Sequence, residues 1–229
     1  MRNLCQWKLT GLRRMGWTLA LSGRQEYEKG WQKMEAIEAI LTRRSTRRYS
    51  GEMPERALVE KVIEAGRYAP SGGNNQTTHF IVFSDAEILS DMAGLVCKEF
   101  AEMEITEGMY SSLKNSINAA KKGGYKFHYG APVFIVTANK KGYGNALADS
   151  ACALENMMIA ANALDMGSCW INQLHWLDEN EAVRNFMYKY GLREDETITG
   201  GLILGYSEAG EPIREPLERK GNPVTWVEK

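Results

Sequence analysis

The stretch PVFIVTANKKGYGNALADSACALENMMIAANALDMGSCWI, residues 132–171, sets a buried strand beside a long helix. Residues 132–138 are a short continuous apolar run, the pattern of a strand covered on both faces. Residues 145–166 are too long for a strand. They carry Ala146, Ala148, Ala151, Ala153, Ala160, Ala161 and Ala163, so they read as an alanine-rich helix. Small side chains of this kind let a second helix approach closely, either inside the core or at a subunit interface. Gly167 is placed to cap the helix. GSCWINQ, 167–173, follows as a polar segment of backbone N–H groups and amides.

Outward from this unit, HFIVFS (79–84) and ITGGLILGY (198–206) read as two further strands, the latter the third and last in the chain. Pro54 opens a helix, PERALVEKVIEAGRYA, with Leu58, Val62 and Ala65 facing inward. Residues 86–104 gather Ile88, Leu89, Met92, Leu95 and Val96 on one side of another helix, and 178–190 form one more. Ile37, Ile40 and Leu41 make an i, i+3, i+4 stripe on a short helix before residue 43. The pattern weakens over 106–130, where Gly123-Gly124 marks a loop, and this region reads as a cover over a substrate. The polar tail from Glu211 onward cannot form a core of its own and is expected to lie across another surface. Without strict βαβ alternation, these elements make a layered α+β domain rather than a doubly wound nucleotide fold.

A length of 229 residues suits one domain, or one domain with an extension. With 28 Lys+Arg against 29 Asp+Glu, the chain lacks the basic excess of a general nucleic-acid binder. Its four cysteines, Cys5, Cys97, Cys152 and Cys169, lie far apart, and no CxxC or Cys/His spacing suits zinc or an iron–sulfur cluster. That usage fits free thiols in a reducing, cytoplasmic compartment. No apolar run reaches the roughly 18 residues of a membrane span. In residues 1–33, Arg13 and Arg14 precede a short apolar stretch, Met15 to Leu21, as in a weak signal peptide. The stretch is short for that role and no cleavage site of small residues follows. The alternative is that translation begins at Met34, where helical patterning starts. The expected division is therefore an extension over 1–33 and a domain over 34–229.

RRSTRRY, 43–49, concentrates Arg43, Arg44, Arg47 and Arg48 where a helix stops. Such charges either face solvent or converge on an anion. Guanidinium groups suit phosphate through paired hydrogen bonds, and Ser45 adds a hydroxyl. PSGGNNQ, 70–76, offers glycine-tight backbone with Asn74, Asn75 and Gln76, uncharged amides able to read the edge of a flat heterocycle. Read alone, it is an ordinary surface turn. Asn172 and Gln173 present a second set of amides, and Trp170 reads as core. Arg214, Arg219 and Lys220 supply cations near the C-terminus. His79, His128 and His175 have no evident nucleophile or metal partner, His79 being a structural residue at the start of a strand. There is no GxSxG, HExxH, Walker or GxGxxG sequence. Phosphate-binding cations and neutral amides without an acid–base motif point to a cofactor that performs the chemistry itself.

Taken in order, RRSTRRY, APSGGNNQ, DSACALENMMIAANALDMGSCWI and GGLILGY resemble the FMN-dependent nitroreductase family, from about Met34 to the C-terminus. The resemblance implies a three-layer α+β fold, a mostly antiparallel sheet flanked by helices, in an intertwined homodimer with two FMN sites built from both subunits. Arg43, Arg44, Ser45 and Arg47 match the family's grip on FMN phosphate and ribityl oxygens, and Arg48 falls outside it. Pro70, Ser71, Asn74 and Gln76 match the loop that reaches the flavin of the other subunit. Ile171, Asn172 and Gln173 match the segment passing the isoalloxazine ring, and Arg214, Arg219 and Lys220 the basic tail that closes on the phosphate. The implied activity is ping-pong electron transfer from NADH or NADPH to a nitroarene, quinone or related electron-poor acceptor, without nucleic-acid or membrane partners. Other flavin reactions on this scaffold, such as dehalogenation or dehydrogenation, and a non-enzymatic FMN carrier or sensor are the alternatives. Thr77-Thr78 stands where many members have Pro-Trp, and Trp-Ile-Asn-Gln replaces the acidic or proline-containing residues of several relatives beside the flavin. Substrate preference and flavin potential therefore do not transfer.

Overall fold

The computed structural model describes residues 34–210 and 214–228, and the readings for residues 1–33, including Cys5, lie outside them. Four strands form one sheet: β1 (His79–Phe83), β2 (Val133–Lys140), β3 (Gly167–Ile171) and β4 (Glu196–Gly205), in the order β1-β2-β4-β3, each neighbouring pair antiparallel. Alternation along each strand divides two cores. Phe134, Val136, Ala138 and Ile203 enter one cluster, while Val133, Ile135, Leu202 and Leu204 enter the other. Helices cover both faces, giving three layers.

On one face lie α1 (Ala36–Thr42), α2 (Arg56–Arg67) and the long α5 (Ala146–Ala163). Leu58, Val59 and Val62 of α2 pack with Leu154, Met157, Met158 and Ala161 of α5. Gly66 permits this crossing, because a Cβ there would stand 2.8 Å from Met157. The other face carries α3 (Ala86–Glu102), α4 (Ser111–Lys121), the single turn α6 (Gln173–Trp176) and α7 (Glu181–Tyr188). Leu89, Met92, Val96, Phe100 and Ile117 bury there against Phe127 and Phe134. Asp85 caps α3 by accepting from the N–H groups of Glu87 and Ile88, and Asn180 caps α7 from Val183.

Three expectations need correction. GSCWI is a strand at the sheet edge rather than a polar segment, so 196–205 is the fourth strand and not the third. The weakly patterned 106–130 contains α4, whose buried side is the small set Ser116, Ile117 and Ala120, too modest to register as an apolar stripe. Gly167 begins β3, and Asp165 adopts the left-handed conformation (φ 58°) that follows α5. The stripe of Ile37, Ile40 and Leu41 faces outward, 67%, 44% and 49% exposed, while Ala39 and Thr42 face the core.

Candidate cofactor site

The arginine segment is extended and laid along the sheet edge. Ser45 bridges Ser168 of β3 in parallel, Thr46 N–H donates to the Ser168 carbonyl at 2.9 Å, and Tyr49 bridges Ser207. Thr46 lies so close to β3 that a Cβ on Gly167 would meet its Oγ1 at 2.6 Å, so residue 167 must lack a side chain. Extended backbone alternates its side chains. Arg44 and Thr46 therefore line a small cavity of about 100 Å3 against the C-terminal end of α5. Ser45 and Arg47 line a different cavity of about 330 Å3, whose remaining wall includes Cys169, Trp170, Ile171, Asn172 and Gln173.

Both residues border the smaller cavity, and Nε of Arg43 and Nη1 of Arg44 are buried without a hydrogen-bond acceptor. The nearest carboxylate to Arg43 is Glu155, at 3.6 Å. A buried donor left unpaired costs about 1–3 kcal/mol, more on a charged group. Two such donors on neighbouring guanidiniums make a site that an anion would complete. Arg214 reaches the same corner. Its Nη1 donates to Asn162 Oδ1 at 3.0 Å and its Nη2 pairs with Asp165, while Arg44 Nη2 donates to the Glu215 carbonyl. The structure thus brings Arg44 and Arg214 to one corner from opposite ends of the domain, while Arg43 turns its guanidinium toward Glu155 of α5. Arg219 and Lys220 are not brought there: both are exposed, and Lys220 pairs with Glu218 at 3.6 Å. Arg48 is exposed as well.

In the larger cavity, Trp170 is half-buried and donates its Nε1–H to Asn172 Oδ1 at 2.6 Å. Gln173 is held by residues that sequence reasoning missed. Ser116 gives its hydroxyl proton to the Ser112 carbonyl, so it can only accept from Tyr125, which in turn accepts from Gln173 Nε2 at 2.9 Å. Because a carbonyl only accepts, this chain has one direction, and it fixes the amide of Gln173. Burial pushes the Tyr125 phenol up, against the lowering effect of its Ser116 and Gln173 bonds, so it stays protonated at neutral pH. Burial likewise raises the Cys169 thiol, outweighing Arg47 and Ser45, and leaves it a neutral wall rather than a nucleophile. Tyr110, Ser112, Tyr129 and Trp176 complete the cavity, which places the start of α4 over it.

The 70–76 loop lines a third cavity, of about 490 Å3, with Pro70, Ser71, Asn74 and Gln76 in its wall. Asn74 and Gln76 both hold left-handed backbone, φ 55° and 51°. Gln76 Nε2 donates to Asn74 Oδ1 at 3.1 Å, and Gln76 N–H to Ser71 Oγ at 3.0 Å. The cavity that this loop lines shares no residue with the two cavities of the arginine segment. Those residues also contain no cluster of three or more His, Cys, Asp or Glu suited to a metal ion, and no helix long and apolar enough to cross a membrane.

Comparison with known proteins places this architecture. A solved nitroreductase with bound FMN from Bacteroides fragilis superposes with a TM-score of 0.74 at 31% identity, covering 85% of this chain and 100% of that one. A second, also with bound FMN, from Desulfitobacterium hafniense, gives 0.71 at 26% identity with the same coverage. A provisionally named NADH dehydrogenase/NAD(P)H nitroreductase of Archaeoglobus fulgidus is 29% identical over 189 residues, 81% of this chain and 92% of its own. The model of the nitroreductase family matches residues 40–206, from the arginine segment through the last strand, and the chain belongs to that family.

Proposed function

We propose that this protein is an FMN-dependent oxidoreductase, a homodimer that takes electrons from NADH or NADPH and passes them to a nitroarene, quinone or related electron-poor acceptor. The observation that carries the reading is the pair of buried, acceptor-less guanidinium nitrogens on Arg43 and Arg44, with Arg214 at the Arg44 corner, in a chain similar to proteins crystallised with FMN. A phosphate monoester supplies the missing acceptors, and a free dinucleotide fingerprint is absent from the sequence.

Bound FMN would supply the hydride chemistry, accepting from the nicotinamide and returning electrons to the acceptor. The chain's own residues bind, orient and set the field. Arg43, Arg44 and Arg214 would hold the phosphate, and Ser45 would face the ribityl chain from the larger cavity with Arg47. Arg47, whose side chain projects into the cavity of Ile171, Asn172 and Gln173, supplies positive charge where electrons accumulate, which stabilises the negatively charged reduced state. The Ser112–Ser116–Tyr125 chain keeps Gln173 in one orientation. No side chain in the cavity is poised as a nucleophile, since the Cys169 thiol and the Tyr125 phenol both remain protonated. Nicotinamide and acceptor would occupy the one cavity in turn, which gives ping-pong kinetics.

The second subunit enters because Asn74 and Gln76 face a cavity separate from the arginines of their own chain. The protomer also leaves Ile37, Ile40, Leu41 and Leu147 exposed along α1 and α5, together with Val224, Trp226 and Val227 of the tail. Apolar surface of this extent is what an obligate partner covers.

The purified protein should be yellow, and NADH or NADPH should bleach it in the absence of oxygen. Nitroarene or quinone should then restore the colour, with parallel lines in double-reciprocal plots. Colourless protein that takes up no added FMN would end the proposal. Flavin that binds but turns over with no acceptor would favour a carrier or sensor.

A further inference from the structure

We propose that Asp149 and Tyr143 are positioning residues for the cofactor loop, holding Asn74 and Gln76 in place for the flavin of the opposite subunit. The inference rests on the flavin reading above. Asp149 lies in the first turn of α5 with its carboxylate buried. One oxygen accepts from Gly72 N–H at 3.0 Å, and the other accepts from the Tyr143 hydroxyl at 3.0 Å. The Tyr143 oxygen lies 3.1 Å from the Gly72 carbonyl and accepts from Asn75 Nδ2 at 3.3 Å. Two residues on the far side of β2 therefore grip both ends of the Gly72 peptide unit and the amide of Asn75. Gly72 lies two positions before Asn74 and Asn75 directly after it.

The grip has a conformational purpose. The short 3-10 turn Gly72–Asn74 ends in a left-handed residue, and Gln76 is left-handed again two positions later. Non-glycine residues adopt that region only where the surroundings impose it, and such positions gather at binding sites. Within the loop, the Gln76–Asn74 and Gln76–Ser71 bonds tie exposed groups to one another. Among the described residues, Asp149 and Tyr143 are the side chains that tie the turn to α5, through a carboxylate that is itself buried. Residue 72 must be glycine for the anchor to fit, because a Cβ there would stand 2.1 Å from Asn145 Nδ2 and 2.6 Å from the Tyr143 hydroxyl. Without the anchor, Asn74 and Gln76 would have to be ordered at the moment of binding, and affinity would fall by that entropy.

The test is FMN affinity, measured by quenching of flavin fluorescence, together with subunit mixing. Asp149→Ala removes both acceptors and should weaken binding at least about tenfold. Asp149→Asn keeps one acceptor for Gly72 N–H and should lie within about threefold of the native protein. Tyr143→Phe deletes one hydroxyl with minimal change of shape and should weaken binding about threefold to tenfold. It decides the matter if Asp149→Ala fails to fold.

Co-expression then separates a positioning role from general damage. A dimer pairing Asp149→Ala with Arg43→Ala/Arg47→Ala contains one site with intact arginines facing an intact loop. It should hold about one tightly bound FMN, where each homodimer of variants holds almost none. Native-like affinity in both Asp149→Ala and Tyr143→Phe would overturn the inference, as would mixed dimers holding no more flavin than the variant homodimers. Flavin-free native protein would instead end the proposed function itself.

Discussion

Arg43 and Arg47 leave one extended segment toward different cavities, so their removal should have separable effects. Arg43→Ala takes a charged donor from the small cavity and should cost about 1.5–3 kcal/mol of FMN affinity, read by titration. Arg47→Ala should instead lower the flavin midpoint potential, since it removes positive charge from beside the wall where reduction places negative charge. Redox titration checks it, and unchanged potential would take Arg47 out of the site. Gly167→Ala is the sharper change. Its Cβ would drive against Thr46, a β-branched side chain with little freedom to turn aside, and overpacking of this kind costs about 1–3 kcal/mol. Thermal melting and FMN affinity should both fall, because the displaced residue belongs to the arginine segment. The four cations at 43–48 could be read from sequence as either a solvated face or a convergence on an anion. What the sequence left open was which were used. Arg48, Arg219 and Lys220 stay in solvent, a matter of where the segment leaves β3 and of the path of the tail rather than of residue type.

Elements were legible in proportion to their hydrophobic contrast. β2 and β4 announce themselves because both faces of each are buried, and α2 and α3 because one face is. β3 has only Cys169, Trp170 and Ile171 to show in five residues, and its outer edge is paired by Ser45 and Thr46, more than a hundred residues upstream. No local pattern encodes such a partner. α4 hides for the opposite reason: a helix whose inward side is Ser, Ile and Ala has little contrast, and its buried polar group belongs to the hydrogen-bond chain to Gln173. The paired ends of β2 and β4 carry a further prediction. Glu196 is buried at the start of β4. Burial alone would raise its carboxyl, but hydrogen bonds from Arg193 and His79 prevail and hold it below the usual 4.5. A folded carboxyl held low contributes stability that is complete above its unfolded value and lost as pH falls through the folded one. Denaturant melts between pH 6 and 3 should therefore show stability declining below about pH 4.5. Glu196→Gln should flatten that decline while lowering stability at pH 7.

At the scale of the whole molecule, the sheet and its two cores explain a stable protomer but leave its surface unfinished. α1 is the helix that its apolar stripe predicts, and it turns Ile37, Ile40 and Leu41 outward. A periodicity says which side is greasy, and nothing about whose surface covers it. Sedimentation should find a dimer, and Ile37→Glu with Leu41→Glu should yield a folded monomer with greatly reduced flavin, since each site would lose its second half. Deleting residues 217–229 should act in the same direction by removing Val224, Trp226 and Val227.

The pairing of Thr46 with Ser168 also bears on how the protein is made. About 120 residues separate the two, a span that makes closure one of the slow, long-range events of folding. During synthesis the arginine segment leaves the ribosome early and waits, unpaired, until the edge strand emerges and the last strand docks beside it. The cradle thus cannot be complete before β3 and then Arg214 have been synthesised, and flavin can find its full set of partners only late in translation or after it.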